Sequence, residues 1–102
     1  MNDAEAYVAK LPPIAEENQF LIGQLGTPVK IFWRKNDPWK VSTDEQRRHS
    51  GYYTVDATGP KASDTLKIFW RETAQGSFEI VGISRTAPFK SDVELWSLNQ
   101  SR

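Results

Sequence analysis

Between Gly26 and Pro28 the apolar residues change period, and no single element can span that change. Upstream, Ile14, Leu21, Ile22 and Leu25 share one stripe at helical spacing. Pro13 suits the first turn of such a helix, and Glu16 and Glu17 sit where the positive end of its dipole favours acids. Downstream, Val29, Ile31 and Trp33 alternate with Lys30, Phe32 and Arg34, which is the two-residue period of a half-buried strand. Gly26 supplies a left-handed stop and Pro28 cannot extend a helix, so the boundary is chemical as well as periodic. Pro12-Pro13 forms an earlier break that ends a short helical stretch from Asp3 to Leu11.

Further segments keep the strand period. After the turn Asn36-Asp37-Pro38, Trp39 to Ser42 reads as a short partner for the first strand, and Thr43 to His49 as a polar loop. Tyr52 to Ala57 is a strand closed by the turn Thr58-Gly59-Pro60-Lys61. Leu66 to Arg71 follows with Leu66, Ile68 and Trp70 inward. Beyond the loop Ala74-Gln75-Gly76-Ser77, Phe78 to Ser84 returns with Phe78 and Ile80 on one face and Val81 and Ile83 on the other. Val93 to Leu98, which holds Trp96, fits either a helix or an edge strand. Lys-Ile-Phe-Trp-Arg occurs at 30–34 and again at 67–71, with no repeat period on either side, so two strands of one sheet share an in/out pattern.

Helices segregated before strands predict a single α+β domain over residues 1–102, with one or two N-terminal helices packed on a four- to five-stranded, mostly antiparallel twisted sheet. Phe32, Phe69, Val81 and Ile83 fall opposite the main Trp and Ile set. Part of that second face must therefore be covered, by the C-terminal segment or by a partner.

Thirteen basic residues balance thirteen acidic ones, which argues against bulk attachment to nucleic acid or anionic lipid. The balance is uneven along the chain: residues 1–29 carry a net −3, residues 30–71 a net +4 and the rest −1. Two arrangements fit this split: an acidic helix beside a basic sheet edge, whose fields largely cancel in the fold, or a basic docking face for a partner. There is no cysteine, and His49 is the only histidine, in the run Asp44-Glu45-Gln46-Arg47-Arg48-His49-Ser50. Neighbours along a strand point in alternating directions, so that run reads as a polar loop rather than a nucleophile with its base. One histidine and dispersed carboxylates supply no metal-ligand set, and Gly59-Pro60-Lys61 is too short for a phosphate loop. No catalytic residue, metal or cofactor is expected. Trp39 follows Asp37-Pro38 and is the tryptophan expected at the surface, whereas Trp33, Trp70 and Trp96 fall on apolar faces. The expected partner-binding residues are Trp39, Arg34, Arg47 and Arg48.

The segment Phe20-Leu21-Ile22-Gly23-Gln24-Leu25-Gly26-Thr27-Pro28 leads from helix through Leu-Gly-x-Pro into a strand, and Tyr52 to Ala57 runs into Gly59-Pro60-Lys61-Ala62 before a terminal hairpin carrying Phe78. This order resembles the cytochrome c oxidase assembly protein 1 family over about residues 6–84, leaving 85–102 as a C-terminal extension. Ala62 stands where the family often has a second glycine. The resemblance implies a small α+β domain carried on a single membrane anchor outside these residues. It also implies a non-enzymatic, chaperone-like role in respiratory-complex assembly, at a bacterial or mitochondrial inner membrane, with a protein partner such as a respiratory-complex subunit. Two other classes fit the residues: a small-ligand or enzymatic pocket between helix and sheet using Tyr53, Asp56 and His49, and an inhibitor or immunity-type binding protein.

Overall fold

A computed structural model describes Tyr7, residues 9–86 and residues 91–98. The expected helix over Asp3 to Leu11 falls largely outside the described residues. Two short helices, α1 (Leu11–Glu16) and α2 (Gln19–Leu25), precede six strands: β1 (Lys30–Trp33), β2 (Trp39–Thr43), β3 (His49–Thr58), β4 (Ser63–Glu72), β5 (Phe78–Arg85) and β6 (Val93–Ser97). The protein is therefore α+β and mostly sheet, with every strand pair antiparallel.

The single helix expected from Pro13 to Leu25 is split at Asn18. The Asn18 backbone is extended, and its side-chain oxygen accepts the Leu21 N–H at 3.0 Å, so it caps α2 instead of continuing α1. Pro12 and Pro13 sit in the first turn of α1, where the backbone N–H groups have no intrahelical partner to lose. Glu16 and Glu17 consequently lie at the C-terminal end of α1, not in its first turn. Leu11, Ala15, Leu21 and Leu25 are the buried helical residues.

The sheet has one strand more than expected because its first rung is broken. β1 pairs with the second half of β3 (Lys30↔Thr58 to Trp33↔Val55) and β2 with the first half (Trp39↔Tyr53 to Thr43↔His49). The Arg34 N–H still donates to the Thr54 carbonyl at 3.0 Å, so Lys35 to Pro38 form a bulge in one long edge rather than a hairpin turn. Trp39 to Ser42 is thus a partner of β3, not of β1. The remaining order across the sheet is β3, β4, β5, β6, and Val93–Ser97 is the opposite edge strand.

On the inner face, which α1 and α2 cover, Val29, Tyr53, Val55, Ala57, Leu66, Ile68, Trp70, Ile80 and Ile83 are buried. Ile83 was expected on the outer face beside Val81. The ladder shifts between Phe69 and Trp70, pairing Ile68 with Ile83 and Trp70 with Ile80, so Val81 is the extra residue and Ile83 returns to the core. Both Lys-Ile-Phe-Trp-Arg strings do share one pattern, with Ile and Trp inward and Lys, Phe and Arg outward, as their common partner β3 requires.

The helices are tied to the sheet at one joint. The Leu25 carbonyl accepts the Lys61 N–H at 2.7 Å, and the Lys61 ammonium donates to the Gly23 carbonyl at 2.8 Å. The β3–β4 turn thereby satisfies carbonyls that the end of α2 leaves open. Gly26 has φ +89°, and a Cβ there would lie 3.1 Å from side-chain atoms of Pro60 and Lys61. At Gly59 a Cβ would lie 2.3 Å from the Leu25 carbonyl oxygen. Gly59→Ala should therefore destabilise the fold by about 2 kcal/mol or more through overpacking against backbone. Gly23→Ala, on exposed helix with nothing within 4 Å of the new Cβ, should stabilise it by about 0.5–1 kcal/mol. Denaturant unfolding of both variants beside wild type checks the pair.

Candidate functional site

The four expected partner-binding residues occupy two places. Arg34 and Trp39 flank the bulge at one end of β2, and Arg47 and Arg48 lie in the β2–β3 hairpin loop at the other end. The length of β2, five residues, separates the two groups.

At the bulge, the Arg34 Nη1 donates to both carboxylate oxygens of Asp56, at 3.2 and 3.1 Å, and its Nε donates to Asp37. Those carboxylates hold the guanidinium in its charged form, Asp37 contributing most. The Thr54 hydroxyl donates to the Pro38 carbonyl at 2.7 Å. Arg34 is thus the clasp of the bulge, holding both its own end and the strand beneath. The clasp presents two apolar rings to solvent, Phe32 at 61% exposure on the outer face and Trp39 at 43% on the edge. Trp39 is where the sequence reading places it. Phe32 joins it because its strand phase faces away from the helices.

At the hairpin loop, the Asp44 side chain accepts the backbone N–H groups of Gln46 and Arg48, both at 2.9 Å, and Arg47 adopts φ +65°. Arg47 and Arg48 are exposed and form no ion pair among the described residues. His49, expected in the loop, is instead the first residue of β3. Its backbone N–H donates to Glu72 Oε1 at 3.0 Å, and its Nδ1 lies 3.2 Å from the same oxygen. The Tyr7 ring lies 4.6 Å from the imidazole, tilted by 32°, and stacks 5.6 Å from Trp70. His49 and Glu72, with Thr73 and Ala74, wall a polar cleft of about 450 Å³ that also includes Asp44, Arg48, Ser50, Arg71 and Glu79. Arg71 is already bonded to Glu79, and Glu72 to His49, so the cleft groups largely satisfy one another.

Tyr53, Asp56 and His49, the polar groups of the ligand-pocket reading, do not meet. Tyr53 is buried inward, Asp56 points outward to Arg34 and Thr65, and His49 lies at the far end of β3. The space between α2 and the sheet is a slot of about 70 Å³, lined by Phe20, Leu21, Leu25 and Leu66 among others. Among the described residues, no group of three or more His, Cys, Asp or Glu could hold a metal ion. No described helix is long and apolar enough to cross a membrane.

No protein-family profile, curated protein or solved structure matches the chain.

The His49–Glu72 contact has a pH signature. The backbone N–H of His49, then its ring, lower the Glu72 carboxyl below its ordinary value of 4.5. Because the folded state resists protonation more than the unfolded one, the stability from this contact is fully present above pH 4.5 and lost as pH falls through the lowered value. Glu72→Gln should therefore be less stable than wild type at neutral pH, and the two thermal midpoints should converge in acid. Thermal melts across that range measure the difference.

Proposed function

We propose that this protein is a non-enzymatic protein-interaction module whose docking surface is the β1–β2 edge. The observation that carries the reading is the pair of exposed rings, Phe32 and Trp39, held on either side of the Arg34 clasp. Large aromatic side chains on a rigid edge supply apolar contact area at low entropic cost, which is the usual character of an interface anchor. The clasp matters because it fixes the bulge before any partner arrives. Lys30, Lys35, Lys40, Arg47 and Arg48 line the same edge and its loops, and none forms an ion pair among the described residues. An acidic protein surface is the complementary partner, steered by that charge.

The likeness of Leu25-Gly26-Thr27-Pro28 and Gly59-Pro60-Lys61 to the cytochrome c oxidase assembly protein 1 family supports a narrower reading. On it, the module is the soluble part of a membrane-anchored assembly factor, and the acidic surface belongs to a respiratory-complex subunit. Affinity capture from the native membrane should then recover such a subunit. Trp39→Ala and Phe32→Ala should each weaken that complex by about 1–2 kcal/mol, read by titration calorimetry. Binding that stays within about 0.5 kcal/mol of wild type for both variants would remove the edge from the interface.

A further inference from the structure

The β1–β2 edge ends in a hollow that its exposed rings do not fill. Pro28 and Lys30 wall it on one side and Thr58, Gly59 and Pro60 on the other, around a shallow space of about 270 Å³. Pro28, Lys30 and Pro60 are exposed. Two proline rings and the Lys30 stem make the hollow mainly apolar, with an ammonium at its rim. It suits a single apolar side chain.

β3 is a ruler for the edge, because β1 and β2 both pair with it. Lys30 stands opposite Thr58, Phe32 opposite Asp56 and Trp39 opposite Tyr53. At about 3.3 Å per residue, Phe32 lies about 7 Å from the hollow along the edge, and Trp39 about 17 Å. Thr58 and Asp56 share the outward phase of β3, while Tyr53 has the inward one. An extended chain lying alongside therefore meets all three places with residues i, i+2 and i+5, and its own alternation turns the third to the side of Trp39.

Unneutralised charge follows the same line. Lys30, Lys35 and Lys40 form no ion pair among the described residues, whereas Arg34 is held by Asp37 and Asp56, which leaves the clasp one unit negative. Three lysines against that clasp give the line two net positive charges. The Lys35 ammonium sits 6.0 Å over the Trp33 ring, a contact that keeps its charge. Further in on the outer face the cations are already bonded, Lys67 to Asp92 and Arg71 to Glu79. The complementary footprint is consequently one chain wide. Its selectivity comes from side chains, since the bulge at Lys35 to Pro38 interrupts any backbone ladder along the edge and Pro38 has no N–H to offer.

From this alignment we infer that the occupant of the edge is a single extended acidic segment of the partner, with apolar side chains spaced i, i+2 and i+5 and carboxylates between them. The first fills the Pro28–Pro60 hollow, the second lies on Phe32 and the third on Trp39. This rests on the docking edge proposed above and narrows its acidic partner surface to a linear motif.

The experiment is selection of a displayed library of random ten-residue peptides on the immobilised protein, followed by fluorescence anisotropy of the enriched peptides. Enriched sequences should be acidic and carry the i, i+2, i+5 apolar spacing in one chain direction, and raising salt should weaken them. Lys30→Glu should raise the dissociation constant about tenfold. Thr58→Glu, which puts a carboxylate into the hollow, should act in the same direction, its fold checked by circular dichroism. Shuffling a peptide at constant composition should weaken it about tenfold as well, because charge is kept and spacing is lost. No enriched peptide, binding indifferent to both variants, or shuffled peptides as tight as the originals would each overturn the inference. The edge itself is judged separately: if Phe32→Ala and Trp39→Ala still weaken the captured complex while no peptide binds, the interface stands and the partner meets it as a folded surface.

Discussion

The Leu25 carbonyl accepts the Lys61 N–H at 2.7 Å, and Gly59 passes so close to that carbonyl that no Cβ fits between them. Two helices of six and seven residues are too short to be stable alone, so what holds them in place is this joint and the burial of Leu11, Ala15, Leu21 and Leu25. Through the joint, the turn that connects the two longest strands also ends the helix that covers them. One face of the sheet is closed by that arrangement. The other is left to whatever the chain's outward residues attract, and the functional readings all follow from that asymmetry.

Most of the fold was legible because its signals are local. The change of period at Gly26 to Pro28 marks the real end of α2 and start of β1, and Leu66, Ile68 and Trp70 are inward as their alternation requires. The misreadings fall where one or a few residues interrupt a regular hydrogen-bonding pattern. Asn18 splits a helix because its side chain captures the Leu21 N–H. Val81 slips out of register opposite the Phe69–Trp70 step, which returns Ile83 to the core. The four residues Lys35 to Pro38 look like a hairpin turn, yet β3 is long enough to pair with the chain on both sides of them.

The candidate site divides in the same way. Exposure of Trp39 and Phe32 could be read from a preceding Asp-Pro and from strand phase, both local properties. The role of Arg34 could not, since one of its carboxylate partners, Asp56, is set by the pairing of β1 with β3. Nor could the Glu72 partner of His49, 23 residues away, because only the β3–β4 register brings it there. Arginine in this chain therefore serves two ends. Arg34 and Arg71 fasten the sheet, while Arg47 and Arg48 remain in solvent where charge acts at a distance. A net charge of zero conceals that division.

The joint itself is most directly tested by amide hydrogen exchange at Lys61. A turn amide without a partner exchanges through local fluctuation, whereas one bonded into the core exchanges only when the surrounding unit opens. If the Lys61 N–H holds the end of α2 to the sheet, its protection should match the centre of the β3–β4 ladder. Exchange at the rate of an unstructured amide, with that ladder still protected, would contradict it.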